Sequence, residues 1–269
     1  MLKVNLEKCT KCGTCSEICP FGIIINRGSG PELVLPQACI VCGHCVAICP
    51  QAALDLEKAP IINQTALEKF PVIDPPTAKD FLRSRRSIRA FKKEKVNRET
   101  LQELLDVARY APTGANSQGI SYIVHENPEQ LRKITAVTVD WLEEQARQGT
   151  GFAMYKGVVS IYRKTGTDVV LHDAPHLIIA TAPKAFGRSR GRDSGHFALS
   201  YIELYATSLG LGTCWSGFVE GGAQDKYQPL LDLLNIPEDR SVAGVLMLGY
   251  PKYTFKRLVD RNPLEVSWH

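Results

Sequence analysis

Apolar residues recur with a helical period behind Asn97, where Leu101, Leu104, Leu105 and Ala108 follow i, i+3, i+4, i+7 until Pro112 and Gly114 interrupt the run. Asn127-Pro128 opens a longer helical stretch to about Arg147, and residues 194–208 read as a helix ending before Gly210. Between these helices the apolar runs Ser121–Val124, Leu177–Ala182, Thr213–Phe218 and Val242–Gly249 predict strands. Upstream, Thr77 followed by Asp80 has the form of a capping box for a helix with Phe81 and Leu82 on its apolar side. The mixture predicts a sheet flanked by helices, an α+β domain. Gly210-Leu211-Gly212 follows a helix and lacks the third glycine, so it is no dinucleotide fingerprint.

Before residue 60 the texture is different. Apolar residues are sparse, and only Phe21–Ile25 and Ala53–Leu56 suggest short strands. Each follows one copy of a repeated pattern: Cys9, Cys12, Cys15, Cys19-Pro20, then Cys39, Cys42, Cys45, Cys49-Pro50. At an offset of 30 the two segments agree at seven of twelve positions, Gly13 with Gly43 and Ile18 with Ile48 among them, which marks an internal duplication. A disulfide scaffold predicts no such repeat and expects an export signal, which MLKVNLEKCTKCG does not supply. Zinc knuckles need two cysteines per pair, not three at successive x2 spacings plus a fourth before proline. The spacing suits loops wrapped around iron–sulfur cubanes, with small glycines turning backbone N–H groups towards the cluster. In such runs the fourth cysteine ligates the other cluster, so Cys9, Cys12, Cys15 and Cys49 form one expected ligand set and Cys39, Cys42, Cys45 and Cys19 the other. His44 is read as a loop side chain.

The whole chain has 269 residues, 44% hydrophobic and 22% charged, which excludes wholesale disorder and fibrous architecture. No apolar run reaches the ~18 residues of a membrane span, so a cytoplasmic protein without membrane attachment is expected. Eight of the nine cysteines lie in the first 50 residues; the ninth, Cys214, is read as a small buried residue. The formal charge is +4, yet residues 1–60 carry five cations and five acids, so the surplus lies further on.

A stiff connector rich in proline, Lys58-Ala59-Pro60 through Pro75-Pro76, separates the halves. The expected division is therefore 1–57 for the cysteine module, 58–76 for the connector and 77–269 for the second domain. Between Arg83 and Lys95 stand seven cations against one acid, Glu94. Lys92, Lys93 and Lys95 read as a solvated face, but Arg85-Arg86-Ser87-Ile88-Arg89 can close on a phosphate through guanidinium and hydroxyl donors. A nucleic-acid site calls for a wider basic face with exposed aromatics, so one small phosphate ligand is the better expectation. His172 and His176 are four apart, but Pro175 between them argues against a metal pair.

Residues 1–57 resemble a bacterial two-cluster ferredoxin. The Arg85–Arg89 segment, the turn Ala111-Pro112-Thr113-Gly114-Ala115-Asn116-Ser117-Gln118, the stretch Leu209–Gly217 and the C-terminal Lys256-Arg257 together resemble the FMN-dependent nitroreductase family, in its subgroup with an N-terminal ferredoxin domain. The resemblance covers roughly residues 77–262 and implies a three-layer, nitroreductase-like sheet flanked by helices. It further implies that Arg85, Arg86, Ser87 and Arg89 contact FMN, with Lys256 or Arg257 completing the phosphate site. Pro112, Thr113, Gly114 and Asn116 would reach across the interface of a homodimer that holds FMN, and Trp215, Ser216 and Gly217 would lie near the flavin N5. One departure stands out: Ser216 occupies the place where simpler members carry an acidic residue. The stretch from Trp141 to Gly166 reads as a variable excursion shaping the substrate pocket.

Two [4Fe-4S] clusters pass single electrons, and a flavin accepts them singly and delivers hydride. The expected function is an oxidoreductase relaying electrons through the clusters to FMN and on to a small acceptor: a nitroaromatic, a quinone or an activated double bond. No side-chain acid or base is assigned. The electron donor is expected to be a redox protein or NAD(P)H; the alternatives are an NAD(P)H-dependent nitro or quinone reductase with an auxiliary ferredoxin module, and a non-catalytic ferredoxin-type electron carrier.

Overall fold

The computed structural model describes residues 1–269, the Ala153 side chain apart. Contacts divide the chain into two compact units: Met1–Val72 with Ala115–Ser117, and Ile73–Gly114 with Gln118–His269.

The first unit is built from elements of three or four residues: β1 (Leu2–Val4), α1 (Thr14–Glu17), β2 (Ile24–Arg27), β3 (Gly30–Leu33), α2 (His44–Ala47) and β4 (Leu54–Leu56). β1 pairs antiparallel with β4, and β2 with β3. Its core cluster consists of Cys15, Ile24, Cys45, Val46, Leu54 and Leu56, with Ile23 and Ala53 also buried. β2 begins later than the pattern Phe21–Ile25 suggests, because Gly22 donates to the Cys19 carbonyl at 3.0 Å in a turn with φ +60°.

In the second unit α3 (Pro75–Ser84) precedes α4 (Arg98–Ala108), β5 (Ser121–His125), α5 (Pro128–Gln148), α6 (Lys156–Thr165), β6 (His176–Pro183), α7 (Arg188–Ser208), β7 (Gly212–Trp215), α8 (Gly217–Gln224), α9 (Gln228–Leu234) and β8 (Arg240–Gly249). Asn97 and Asn127 cap as expected, accepting from Thr100 N at 2.7 Å and from Glu129 N at 2.9 Å. Three expectations are corrected. α3 is capped by Asp74, which accepts from Thr77 N at 3.1 Å, because Pro75 and Pro76 fit the first helical turn, where their missing N–H groups are not needed. α7 begins at Arg188, six residues earlier than the apolar pattern allows, since its first turns are polar. β7 stops at Trp215, and Gly217 and Phe218 already belong to α8.

All four strands of the second unit are antiparallel, in the order β5-β6-β8-β7. The period of two sorts their residues. Ile178, Ala180, Ala182, Leu246 and Leu248 pack with Leu101 and Leu104 of α4 and Leu199 and Ile202 of α7. Leu177, Ile179, Val245 and Met247 pack with Ile134 and Trp141 of α5, Val219 of α8 and Leu230 of α9. Three layers result. Trp141 is therefore a core residue, and the excursion proper begins only at Gly149, whose left-handed φ of 71° ends α5 before a short 3₁₀ turn and α6. Replacing the fully buried Leu104 by alanine should cost ~2–5 kcal/mol in a denaturant titration. Leu82→Ala on α3, which buries none of its residues, should cost far less. Residues 252–269 are likewise exposed throughout, Tyr253, Phe255, Leu264 and Trp268 included. Among the described residues no helix is long and apolar enough to cross a membrane.

His176, at the start of β6, is wholly buried, and its Nε2 accepts from Val96 N at 2.9 Å. This bond needs the neutral ring, and burial pushes the imidazole down to about 4. His125 and His172 shift the same way through burial. The unfolded chain then binds more protons than the native one, so stability is complete above the ordinary histidine range and falls as pH drops from about 6.5 towards 4. Denaturation midpoints at pH 7.5 and 5 should differ accordingly, and His176→Asn should reduce that slope.

Candidate functional site

In the first unit the duplicated loops create two hollows. One is lined by Cys9, Cys12, Cys15 and Cys49, the other by Cys19, Cys39, Cys42 and Cys45. Each thus draws three sulfurs from one run and the fourth from the other. The backbone explains how: Gly13 (φ 84°) and Gly43 (φ 73°) are left-handed immediately before α1 and α2, so each loop curls inward and presents its second and third cysteines to the same space. All eight thiols are free. Among the described residues no three ligand-type side chains converge on a single ion; the sulfurs surround a space instead. The donor set fits two [4Fe-4S] clusters, each closed by four thiolates. Burial pushes the Cys45 thiol up to about 11 and raises Cys15, while hydrogen bonding from Thr14 holds Cys12 below its ordinary value. Iron has to displace those protons on loading.

In the second unit the segment after α3 runs against β7. Ser87 pairs with Thr213 in a parallel bridge, and Ile88 N donates to Thr213 O at 2.8 Å. Only glycine fits opposite: a Cβ on Gly212 would stand 2.4 Å from Ile88 Cγ1. Beside this contact opens a cleft of about 460 Å³, lined by Ser84, Arg86, Thr207, Thr213, Thr254, Lys256 and Arg257 together with Gly210, Gly212 and several apolar residues. Three cations and five hydroxyls, the phenol of Tyr253 included, line it. Arg86 has a buried Nε with no partner, and its guanidinium lies 5.7 Å from the centre of the Phe255 ring. An unpaired buried guanidinium nitrogen beside two more cations fits a phosphate-bearing ligand such as FMN.

Arg85 points elsewhere. Its Nη1 lies 3.3 Å from Oε1 of Glu203, a buried carboxylate on α7 that also accepts from Thr213 Oγ1 at 3.2 Å and from Trp215 Nε1 at 2.6 Å. One carboxylate thus ties the arginine segment to β7. A second, Glu220 on α8, accepts from His196 Nε2 at 3.2 Å, Arg192 Nε at 3.3 Å and Gln224 Nε2 at 2.7 Å. Burial alone would raise its carboxyl, but His196 and Arg192 hold it below the usual range. Sequence reasoning missed both acids: their donors lie up to 118 residues away, and no local pattern announces a buried carboxylate. Glu203→Ala strands Arg85 and Trp215 without a partner and should destabilise the fold by ~3 kcal/mol or more, with Glu203→Gln milder in the same titration.

The remaining sequence candidates are dispersed. Ser216 is buried with an unpartnered Oγ, Trp215 sets its ring edge-on to His196 at 4.7 Å, and Gly217 is exposed. Thr113 Oγ1 accepts from Gln118 N at 3.0 Å, Gly114 N lies 3.5 Å from Ser194 Oγ, and Pro112 is exposed. Asn116 belongs to the first unit, where its Nδ2 donates to Ile40 O and Val41 O, both at 3.0 Å. Arg89 is exposed, and Cys214 is buried with its thiol pushed up by burial.

Comparison with known proteins separates the chain in the same way. Residues 82–250 match the model of the nitroreductase family, and residues 8–54 that of a 4Fe-4S dicluster domain. An iodotyrosine deiodinase of Thermotoga neapolitana is 28% identical over 175 residues, 64% of this chain and 87% of that protein. An NAD(P)H FMN reductase of Bacillus subtilis is 27% identical over 172 residues, 63% of this chain and 64% of its own length. Among solved structures, a nitroreductase with bound FMN from Bacteroides fragilis superposes with a TM-score of 0.57 at 20% identity, covering 71% of this chain and 98% of that one. An iodotyrosine deiodinase bound to FMN and 3-iodo-L-tyrosine gives a TM-score of 0.55 at 25% identity with the same coverage.

Proposed function

Because the chain belongs to the nitroreductase family and carries a 4Fe-4S dicluster domain ahead of the family's own domain, we propose that it relays single electrons through two clusters to FMN for the reduction of a small organic acceptor. The acceptor class is a nitroaromatic, a quinone or an activated double bond. Residues 1–57 form the cluster domain, 58–76 the connector and 77–269 the flavin domain. The observation that carries this reading is the pair of four-sulfur hollows present in the same chain as the cationic cleft. Bound FMN would convert one-electron input into two-electron output.

The chain's own residues bind and orient. Arg86, Lys256 and Arg257 hold the phosphate, with Arg85, Ser87 and Arg89 on the neighbouring segment. Trp215, Ser216 and Gly217 border the ring's reactive edge, and Pro112, Thr113, Gly114 and Asn116 close the site from the second copy of a homodimer. No proton transfer is assigned to a side chain.

Anaerobic titration of the reconstituted chain with a low-potential one-electron donor tests the relay. Cluster bleaching followed by flavin reduction and acceptor turnover is expected; bleached clusters beside a flavin that stays oxidised would refute it. Protein that releases no FMN on denaturation would point to a plain electron carrier. A second reading has NAD(P)H as the donor, favoured by the name of the Bacillus subtilis relative. NADPH that reduces the flavin of the full chain within a turnover, without the one-electron donor, would establish that reading.

A further inference from the structure

The two halves of the first unit share one backbone and differ in chemistry. Lys11 and Val41 occupy equivalent left-handed positions, with φ of 60° and 54°, one residue before the cysteines Cys12 and Cys42. Valine is strained at such an angle, so the loop geometry is imposed by the fold and not chosen by the side chain. What varies is polarity. At every one of the five positions where the runs disagree, the first copy is polar (Thr10, Lys11, Thr14, Ser16, Glu17), whereas the second has Ile40, Val41, His44, Val46 and Ala47.

These differences reach the two hollows. The one formed by Cys9, Cys12, Cys15 and Cys49 is also lined by Thr10, Lys11, Asn26 and Gln51; the Lys11 ammonium sits at its rim, where it donates to Gly28 O at 2.5 Å, and Asn26 Nδ2 donates to Lys11 O at 2.9 Å. The other is surrounded by Phe21, Ile23, Ile24, Leu33, Ile40 and Leu56, with His44 its one polar side chain besides the cysteines. The sulfurs themselves are treated unequally. Thr14 Oγ1 lies 3.3 Å from Cys12 Sγ, and Ala53 N donates to Cys49 Sγ at 3.3 Å. Ser16 Oγ, next in sequence to Cys15, is buried with no hydrogen-bond partner. Among the described residues no side chain hydrogen-bonds to the sulfur of Cys19, Cys39, Cys42 or Cys45, and only the backbone of Val46 does so at Cys45. Glu17, the one acid of the first run, is exposed and does not line the hollow.

We propose that the two cluster sites are deliberately unequal in potential, the polar Cys9/Cys12/Cys15/Cys49 site being reduced first and the apolar Cys19/Cys39/Cys42/Cys45 site last. This rests on the reading above that both hollows hold clusters. Reduction takes one electron from an external one-electron reductant and adds one negative charge to the hollow it enters. A cation, hydroxyl donors and an N–H directed at sulfur stabilise that added charge; an apolar wall does not. Electrons arriving at the apolar site would therefore run downhill to the polar one within a single module.

The test is an anaerobic redox titration of the reconstituted full chain, followed by electron paramagnetic resonance, after iron and acid-labile sulfide have been counted. About eight of each per chain upholds the two-cluster reading on which this rests, and a much lower count refutes that reading separately. With both clusters present, two distinct midpoint potentials are expected. Lys11→Met and Thr14→Val should each lower the upper potential and leave the lower one in place, Lys11→Arg should leave both unchanged, and Val46→Ser should raise the lower one. A single shared potential in the unmodified chain, or Lys11→Met moving the lower wave or neither, overturns the proposal. Should Lys11→Met fail to load iron, Thr14→Val and Val46→Ser decide alone.

Discussion

Stripping iron from the protein with a strong chelator should unfold residues 1–72 and leave the second unit folded. The first unit has one cluster of six buried apolar residues at its centre, and two of these, Cys15 and Cys45, are expected cluster ligands. Its longest strand has four residues. Ordering a chain costs ~1–2 kcal/mol per residue in backbone entropy, which so small a core does not offset. Ligation must supply the difference, as it does in other small metal-dependent domains, where it is worth on the order of 10 kcal/mol. Limited proteolysis gives the readout: cleavage throughout the first 72 residues after chelation, with a resistant fragment beginning near Ile73. Protease resistance of the first unit without iron would contradict the argument. Cys45→Ser should leave about half the iron, and Cys214→Ser all of it.

The second large effect concerns the cleft. Arg86→Ala should weaken FMN binding to the apoprotein by ~10- to 100-fold, since a charge-assisted hydrogen bond contributes ~1.5–3 kcal/mol and each 1.4 kcal/mol is a factor of ten. Lys256→Ala and Arg257→Ala should each act in the same range, and Lys92→Ala, outside the cleft lining, should change nothing. Quenching of flavin fluorescence on titration measures all four, while the iron content serves as a control that should not move. Unaltered FMN affinity in Arg86→Ala would remove the cleft from the flavin site.

The cysteine runs were legible because metal ligation writes its geometry directly into spacing. Helix caps were legible where one polar residue precedes a periodic run, as at Asn97 and Asn127. Legibility ended where tertiary packing decides. Trp141 looks like a bulky residue opening an excursion, yet it is buried among Phe152, Gly221 and Gly222, contacts that only the fold brings together. The first turns of α7 hide behind Arg188, Arg190 and Arg192, which mark a helix only once Gly191, Ser194 and Gly195 are seen to be buried. Glu203 and Glu220 have no signature at all. Their meaning lies in donors that arrive from other elements, and a linear reading passes over them as ordinary surface acids.

The exposed α3 and the exposed stretch 252–269 bear on how stability itself is to be measured. Segments without a fully buried side chain draw little folding free energy from their own chain. In the homodimer proposed above, any order they gain is shared between copies and obeys mass action, so dilution loosens them before it touches the sheet. Their stability is a bimolecular quantity, expressed in concentration and not in degrees.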